Sequence, residues 1–320
     1  MTYATGSAAT ISNVMDAMSL FAQANAGMTE SVRRSETVHN RAGVNETMTV
    51  ICLTKGLSNW WFAYGATDCQ GFLADSNGGS VYTVTGGIQA PSITRIWPVA
   101  PPFTSYHLFT EGSVVHVAFE MSSGAWTHWN FGDITKYGTW TGGSFLGGIN
   151  ASDNFDATSS TFFGQPTLIG VNAIFGQNQQ TIQSQSSSKI RITKGSRTYG
   201  NFNGTAALTF NDAVTTPVCA LGITNGVSDT LTRDQPNIFN NRAMGPRLEL
   251  YVSDASVIFS GGTNLWLPIG YVPNIRFINL ALLNPKDLIN TDWMVFPLQS
   301  KTGLLNNYAE TFNFGIAVRK

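Results

Sequence analysis

Apolar residues recur at three- and four-residue spacing in one convincing place. Ile11, Val14, Met15, Met18, Phe21 and Ala22 line one side of a predicted helix, with Gly27 as its stop. So short a helix persists only when its apolar side is packed. It is expected to cover the end of a sheet or to dock on a neighbouring subunit. Residues 28–46 follow and are rich in charge for this chain (Glu30, Arg33, Arg34, Glu36, Arg41, Glu46), which reads as an exposed connector.

From residue 47 the pattern changes to short β-branched and aromatic runs punctuated by Gly, Ser, Asn and Pro, as in an all-β sandwich or barrel. Thr47 to Lys55, Ser80 to Thr85 and Ser92 to Trp97 are candidate strands. The clearest unit is Ser113 to Gly132, where VVHVAFE and WTHWNF flank Ser122-Ser123-Gly124 as a hairpin. A turn centred near residue 122 sets His116 roughly opposite His128, on a shared face. Residues 150–188 are poor in charge and include the run GQNQQTIQSQSSSK, read as a surface excursion or a domain junction.

Strand-like runs resume at Lys189 to Thr193, Ala206 to Phe210 and Arg247 to Val252. They continue at Asn264 to Ile269, Asn274 to Leu282, Trp293 to Pro297 and Phe312 to Val318. The expected fold is mainly β: β-sandwich or jelly-roll-like sheets with one short N-terminal helix. The chain divides into a helix and connector (1–46), a β domain (47–150) and a second β region packed on it (151–320).

Composition narrows the class. Of 320 residues, 42% are hydrophobic, enough for a sizeable core, but only 12% are charged, about half the usual share, and the net charge is −1. Little charge repulsion keeps copies apart, so the surface suits a subunit that packs against itself. With 18 basic and 19 acidic residues there is no footprint for phosphate backbones, and nucleic acid is set aside as a main partner. Cys52, Cys69 and Cys219 fit neither a CxxC motif nor a zinc cluster and read as buried free thiols, which favours folding in a reducing cytoplasm. The N-terminus lacks the basic stretch of a signal peptide, and no apolar run approaches membrane-spanning length, so no membrane partner is expected.

Candidate chemistry is sparse. Of four histidines, His107, His116 and His128 lie close in sequence around the hairpin and form a metal-site hypothesis; the rival reading has them hydrogen-bonding across strands or stacking among Trp126, Trp129 and Tyr137. No GxSxG elbow is present, and no Cys stands in a protease-like context. A glycosidase needs only two carboxylates, and Glu111, Glu120 and Asp133 lie near aromatic residues, but isolated acids of this kind read first as solvated strand ends and turns. The glycine clusters lack the strand-to-helix context of a phosphate loop. The reading is therefore of a protein that is not an enzyme, with no catalytic residues and no cofactor.

One segment, HLFTEGSVVHVAFEMSSGAWTHWNFGDITKYGTWTGGSF from His107 to Phe145, resembles a stretch of structural proteins of tailed-bacteriophage virions. The positions that carry the resemblance are Val115, His116, Val117 and Glu120, then Trp126, His128, Phe131, Gly132, Lys136, Gly138, Trp140, Gly142 and Gly143. A second segment, from Leu265 to Lys301, resembles the C-terminal pattern of those proteins through Ile269, Gly270, Val272, Pro273, Arg276, Pro285, Trp293, Val295, Phe296, Pro297 and Lys301; Ile269 stands where that pattern has leucine. Together the segments cover about a quarter of the chain. The resemblance implies a tail, baseplate or neck component that assembles with copies of itself into a threefold or sixfold ring and with other virion proteins. Such a subunit is made in the host cytoplasm and resides in the virion. The alternative function is a receptor- or glycan-binding module at the tail tip, marked by an exposed aromatic cluster beside Asp and Asn. A third reading, a cell-wall-degrading enzyme, needs paired carboxylates or a metal in a cleft.

Overall fold

The structure, a computed structural model, describes residues 1–39, 45–66, 68–74, 77–79, 97–98, 101–121, 124, 126–138, 141–149, 189–194, 197–199, 208–211, 214–216, 218–221, 247–259, 263–279, 283–297 and 314–320. The predicted strands at Ser80 to Thr85 and most of Ser92 to Trp97, the 150–188 excursion, and Trp140 lie outside these residues.

The elements of the first half are β1 (Thr2–Ala8), α1 (Ile11–Asn25), β2 (Thr29–His39), β3 (Asn45–Lys55), β4 (Ser58–Tyr64), β5 (Asp68–Ala74), β6 (Trp97–Pro98), β7 (Phe103–Glu111), β8 (Val114–Met121), β9 (Trp126–Asp133), β10 (Thr135–Lys136) and β11 (Thr141–Ile149). The second half contributes β12 (Lys189–Lys194), β13 (Arg197–Tyr199), β14 (Leu208–Asn211), β15 (Val214–Thr216), β16 (Val218–Leu221), β17 (Arg247–Phe259), β18 (Thr263–Asn279), β19 (Leu288–Ile289), β20 (Trp293–Pro297) and β21 (Phe314–Arg319). The chain is mainly β with a single short helix among the described residues, as its patterning predicts.

Three larger sheets and a two-stranded pairing of β14 with β15 organise the described strands. The first runs β1-β7-β8-β9-β11-β12-β13, the second β2-β3-β4-β5-β6, and the third β16-β17-β18-β21-β20-β19 with β10 added against β18. Neighbours in the second sheet are consecutive in sequence, as in a meander. Alternation along β8 explains how the first sheet is buried on both sides: Val115, Val117 and Phe119 point one way, His116 and Ala118 the other, and all are buried.

The Val115 side of the first sheet packs on the second sheet. Ile51, Leu53, Trp60 and Phe62 meet Val117, Phe119, Trp129 and Phe131 in one core that also takes in the apolar side of α1. The Phe62 ring stands edge-on to Phe131 with centroids 5.0 Å apart, and the Trp60 indole N–H donates to the Phe145 carbonyl at 2.9 Å, tying the sheets together. Burying each such aromatic stabilises the fold by roughly 1.5–3 kcal/mol. Helix α1 starts at Thr10, whose hydroxyl accepts from the Asn13 N–H at 3.2 Å, and it stops because Gly27 turns left-handed at φ +66. Lys55 caps the exit by donating to the Ala26 carbonyl at 2.8 Å.

Three expectations need correction. Residues 29–39 are not a connector: β2 pairs with β3 from Thr29↔Thr54 to His39↔Asn45. Its charges decorate an edge strand, with Arg33 bonded to Glu30 and Asp16 at 2.6 Å each, and charge at an edge discourages pairing with other chains. The run Asn264 to Ile269 and the described part of Asn274 to Leu282, up to Asn279, are not separate strands but parts of one strand, β18, which continues through a register shift opposite β17. His116 and His128 do share a face, but not as direct partners: His116 lies opposite Asn130, and Ala118 opposite His128, which makes the histidines diagonal neighbours.

Two glycines let the sheets join. After β9 the chain leaves the first sheet and β10 pairs with the third, Lys136 opposite Gly270. A Cβ on Gly132 would collide with the Ser113 carbonyl, and a Cβ on Gly270 with the Thr135 carbonyl, so both backbones approach where only glycine fits. Gly132 also sits at φ +135. Gly132→Ala is expected to destabilise the protein by more than about 1 kcal/mol, the scale above which an alanine forced into positive φ exceeds its entropic benefit. A denaturant midpoint equal to that of the parent protein counts against this close approach.

Candidate functional site

The other face of the first sheet carries Tyr3, His107, Phe109, His116, Trp126 and His128, and β20 lies over it. Phe296 is the centre of this corner. Its ring is 5.2 Å from Trp126, 5.2 Å from His107, 5.8 Å from Phe109 and 6.2 Å from His128, centroid to centroid. Strand period places these residues: β7, β8, β9 and β20 each send alternate side chains into the gap, and paired registers bring them level.

Two hydrogen-bond networks run through the corner. His128 Nε2 lies 2.8 Å from the Pro297 carbonyl, which accepts, and His128 Nδ1 lies 3.4 Å from His116 Nε2. With Nε2–H of His116 donating to Nδ1 of His128, both rings are neutral, and His116 Nδ1 remains a buried acceptor with no partner. In the second network Tyr3 donates its hydroxyl to His107 Nδ1 at 2.8 Å, while His107 Nε2 approaches Ser105 Oγ at 3.2 Å. Ser105 then donates to Glu120 Oε2 at 2.7 Å, and Lys286 donates to the same oxygen at 2.8 Å. Lys286 also lies 5.8 Å from the centre of the Trp126 ring, a cation–π distance.

Burial holds all three imidazoles below the usual histidine range: His107 and His128 down to about 4, and His116 well below 6.5. The Lys286 ammonium adds to the effect at His107, and the adjacent His128 adds to it at His116. His116 and His128 are bonded to each other and His107 to Tyr3 and Ser105, so all three rings sit neutral and buried within the packing of the corner. Ser105 gives its proton to Glu120 rather than to His107, so the Ser105–His107 contact lacks the arrangement of an activated nucleophile.

The metal hypothesis meets the same geometry. His116 and His128 stand side by side, but both nitrogens of His107 are engaged by Tyr3 and Ser105, and among the described residues no group of three or more His, Cys, Asp or Glu side chains is placed to hold a metal. The stacking alternative holds in part: Trp126 stacks on His128 with centroids 6.5 Å apart, whereas Trp129 points to the opposite face, against Phe62 and Phe119. Cys52 and Cys69 are buried, and burial pushes the Cys52 thiol up to about 12.

The two segments singled out in the sequence meet here. From the first, His116, Glu120, Trp126 and His128 form the floor; from the second, Phe296 and Pro297 form the lid, with Lys286 between Pro285 and the Glu120 carboxylate. Phe131 belongs to the opposite core, against Trp60 and Phe62. Gly138 and Gly143 take positive φ of +83 and +103, the latter at the register shift within β11, and the Gly143 carbonyl accepts from the Ile134 N–H at 3.0 Å. Gly142 pairs with Ile192 just before a register shift in β11. Pro273, Arg276 and Trp293 line a separate open cleft of about 390 Å³ beside the β9–β10 crossing, with the Arg276 guanidinium 5.4 Å from the centre of the Trp293 ring.

Sequence reasoning missed Tyr3, Phe109 and Ser105 in the corner and Asn274 in the cleft. Tyr3 precedes the helix in a segment that carried no strand reading, and the others have no pattern that reports their burial. No known family profile matches the chain, and no curated protein sequence matches it.

Proposed function

We propose that the chain is a structural subunit of a bacteriophage virion, in the tail or baseplate, that works through contacts with copies of itself and with other virion proteins. The observation that carries this reading is the convergence of the two segments resembling virion proteins on one packed corner, where Phe296 and Pro297 lock onto Trp126, His128 and His107. A ring subunit has to hold its interfaces at fixed angles, and interlocked aromatic packing between sheets supplies that rigidity. The histidines at this corner are neutral, buried and hydrogen-bonded, which suits a packing role. The low charge of the chain and exposed apolar side chains such as Leu57 (87% exposed) and Leu20 (67%) suit a surface that other subunits cover.

Electron cryomicroscopy of particles and of the purified chain tests the reading. A closed threefold or sixfold ring, placed in the tail or baseplate, is the expected result. A protein that stays monomeric and is absent from particles overturns it.

A further inference from the structure

A strand at the edge of a sheet presents a row of backbone N–H and C=O groups with no ladder partner, which another chain can pair with unless the edge is short or charged. Among the described residues nearly every edge is guarded in one of those ways. Strands β6, β10 and β19 are two residues long, β13 and β15 three, and β14 and β16 four. Strand β2 is long but carries Glu30, Arg33, Arg34 and Glu36. Strand β1 is the exception: its seven residues, TYATGSA, end the first sheet without a single charged side chain. One of its edges pairs with β7 in unbroken register from Thr2↔Thr110 to Gly6↔Tyr106, up to a bulge. Of the described elements β1 packs chiefly on β7 and α1, which leaves its other edge open, and Thr2, Thr5 and Ser7 are exposed.

We infer that β1 is an association edge that pairs antiparallel with β1 of a second copy, about a two-fold axis at Ala4. The occupant of such an edge has to be extended, because only a strand answers alternating backbone donors and acceptors. A second copy fits for two reasons. An uncharged strand meets no like-charge repulsion when it faces itself. Antiparallel self-pairing also uses the same residues on both sides, so the contact closes at two chains and leaves no new open edge. Centring on Ala4 uses the whole unbroken stretch from Thr2 to Gly6. It sets Ala4 opposite the partner's Ala4, Tyr3 opposite the partner's Thr5, and Thr2 opposite the partner's Gly6. Ala4 and Gly6 keep the core side of the junction small, where Ala4 already packs against the core shared with α1. The Tyr3–Thr5 pairs on the other side, aromatic against β-branched, are favourable cross-strand neighbours. A contact of this length is small, so the dimer it builds is weak and depends on concentration. Being two-fold, it is separate from the threefold or sixfold contacts of the proposed ring and does not rest on the virion reading.

The test is sedimentation velocity of the full chain over a range of concentrations, with hydrogen–deuterium exchange of the Thr2–Gly6 amides at the two ends of that range. A dimer that grows with concentration is expected, together with slower exchange at alternate amides of this stretch, those that face away from β7. Thr5→Lys sets a charge opposite the partner's Tyr3, a ring that already has the Lys320 ammonium 4.8 Å from its centre, and is expected to weaken dimerisation about tenfold. Thr5→Val is expected to leave it intact. Both substitutions remove the Thr5 hydroxyl, which donates to the Tyr106 carbonyl at 2.8 Å, so charge is what separates them. The exchange measurement needs no variant and decides the matter should Thr5→Lys fold poorly. The proposal is overturned if the parent chain stays monomeric up to its solubility limit, if exchange of the Thr2–Gly6 amides is indifferent to concentration, or if the folded Lys and Val variants associate equally. A ring found in particles with the outer edge of β1 unpaired, in a chain that forms no β1 dimer, overturns this contact and leaves the ring reading standing.

Discussion

Replacing Phe296 with alanine is expected to remove about 3–5 kcal/mol of stability, the cost of truncating a buried phenylalanine whose surroundings cannot close over the gap. Phe296 is fully buried, and the rings around it come from two strands of another sheet, β7 and β9, so no single neighbour can shift to fill the void. The loss is the larger because Phe296 holds Pro297 in place, and the Pro297 carbonyl is the acceptor for His128. Urea denaturation of the parent and the variant, at matched protein concentration, measures it. A loss under 1 kcal/mol means that β20 does not lie on the His116 face of the first sheet, and the joining of the two segments goes with it. By contrast, Lys286→Met at the rim is expected to cost no more than about 1 kcal/mol, because that ion pair with Glu120 is partly exposed.

Acid is expected to loosen the same corner in a defined window. In the unfolded chain each histidine takes up a proton as the pH falls through about 6.5. In the folded chain burial keeps His107 and His128 neutral down to about 4, and His116 lower still. Between those limits the unfolded state binds more protons than the folded one, so stability is complete above pH 6.5 and declines as the pH drops toward 4. At about 1.4 kcal/mol per pH unit and group, His107 and His128 each account for roughly 3 kcal/mol across the window. Glu30 acts at the acid end: the bond from Arg33 holds it below its ordinary 4.5, so its contribution is present above 4.5 and is lost as the pH falls below that value. Denaturant midpoints from pH 8 to pH 4 give the slope, and His107→Gln is expected to reduce it by about one proton. A midpoint that is flat across that range contradicts neutral burial of these rings.

The sequence by itself determined the kinds of element and much of their placement. The three- and four-residue spacing from Ile11 to Ala22 is a helix with those residues buried, and the run Trp293–Pro297 is a strand with the predicted bounds. Such patterns are legible because period reports which side of an element meets the core, whatever that core turns out to be. Charge misleads over residues 29–39, because an edge strand with one exposed face tolerates Arg33, Arg34 and Glu36 as readily as a loop does.

Tertiary structure alone decided which distant residues meet. His128 and Pro297 are 169 positions apart, and no local pattern announces that one accepts from the other. The register of β8 on β9, one diagonal step from the guess based on the turn, sets whether His116 faces His128 or Asn130, and that depends on the turn closing through the Gly124 N–H to the Met121 carbonyl at 2.9 Å. The glycines at 132 and 270 were visible as residues, but their reason was not: each is required by a carbonyl from another strand arriving where a side chain would stand. The Asn274 amide is likewise ordinary in the sequence and is left buried without a partner only when β18 packs. Periodicity is a property of one element, whereas contact, burial and unsatisfied hydrogen-bonding capacity are properties of pairs of elements, and those are fixed only when the sheets pack.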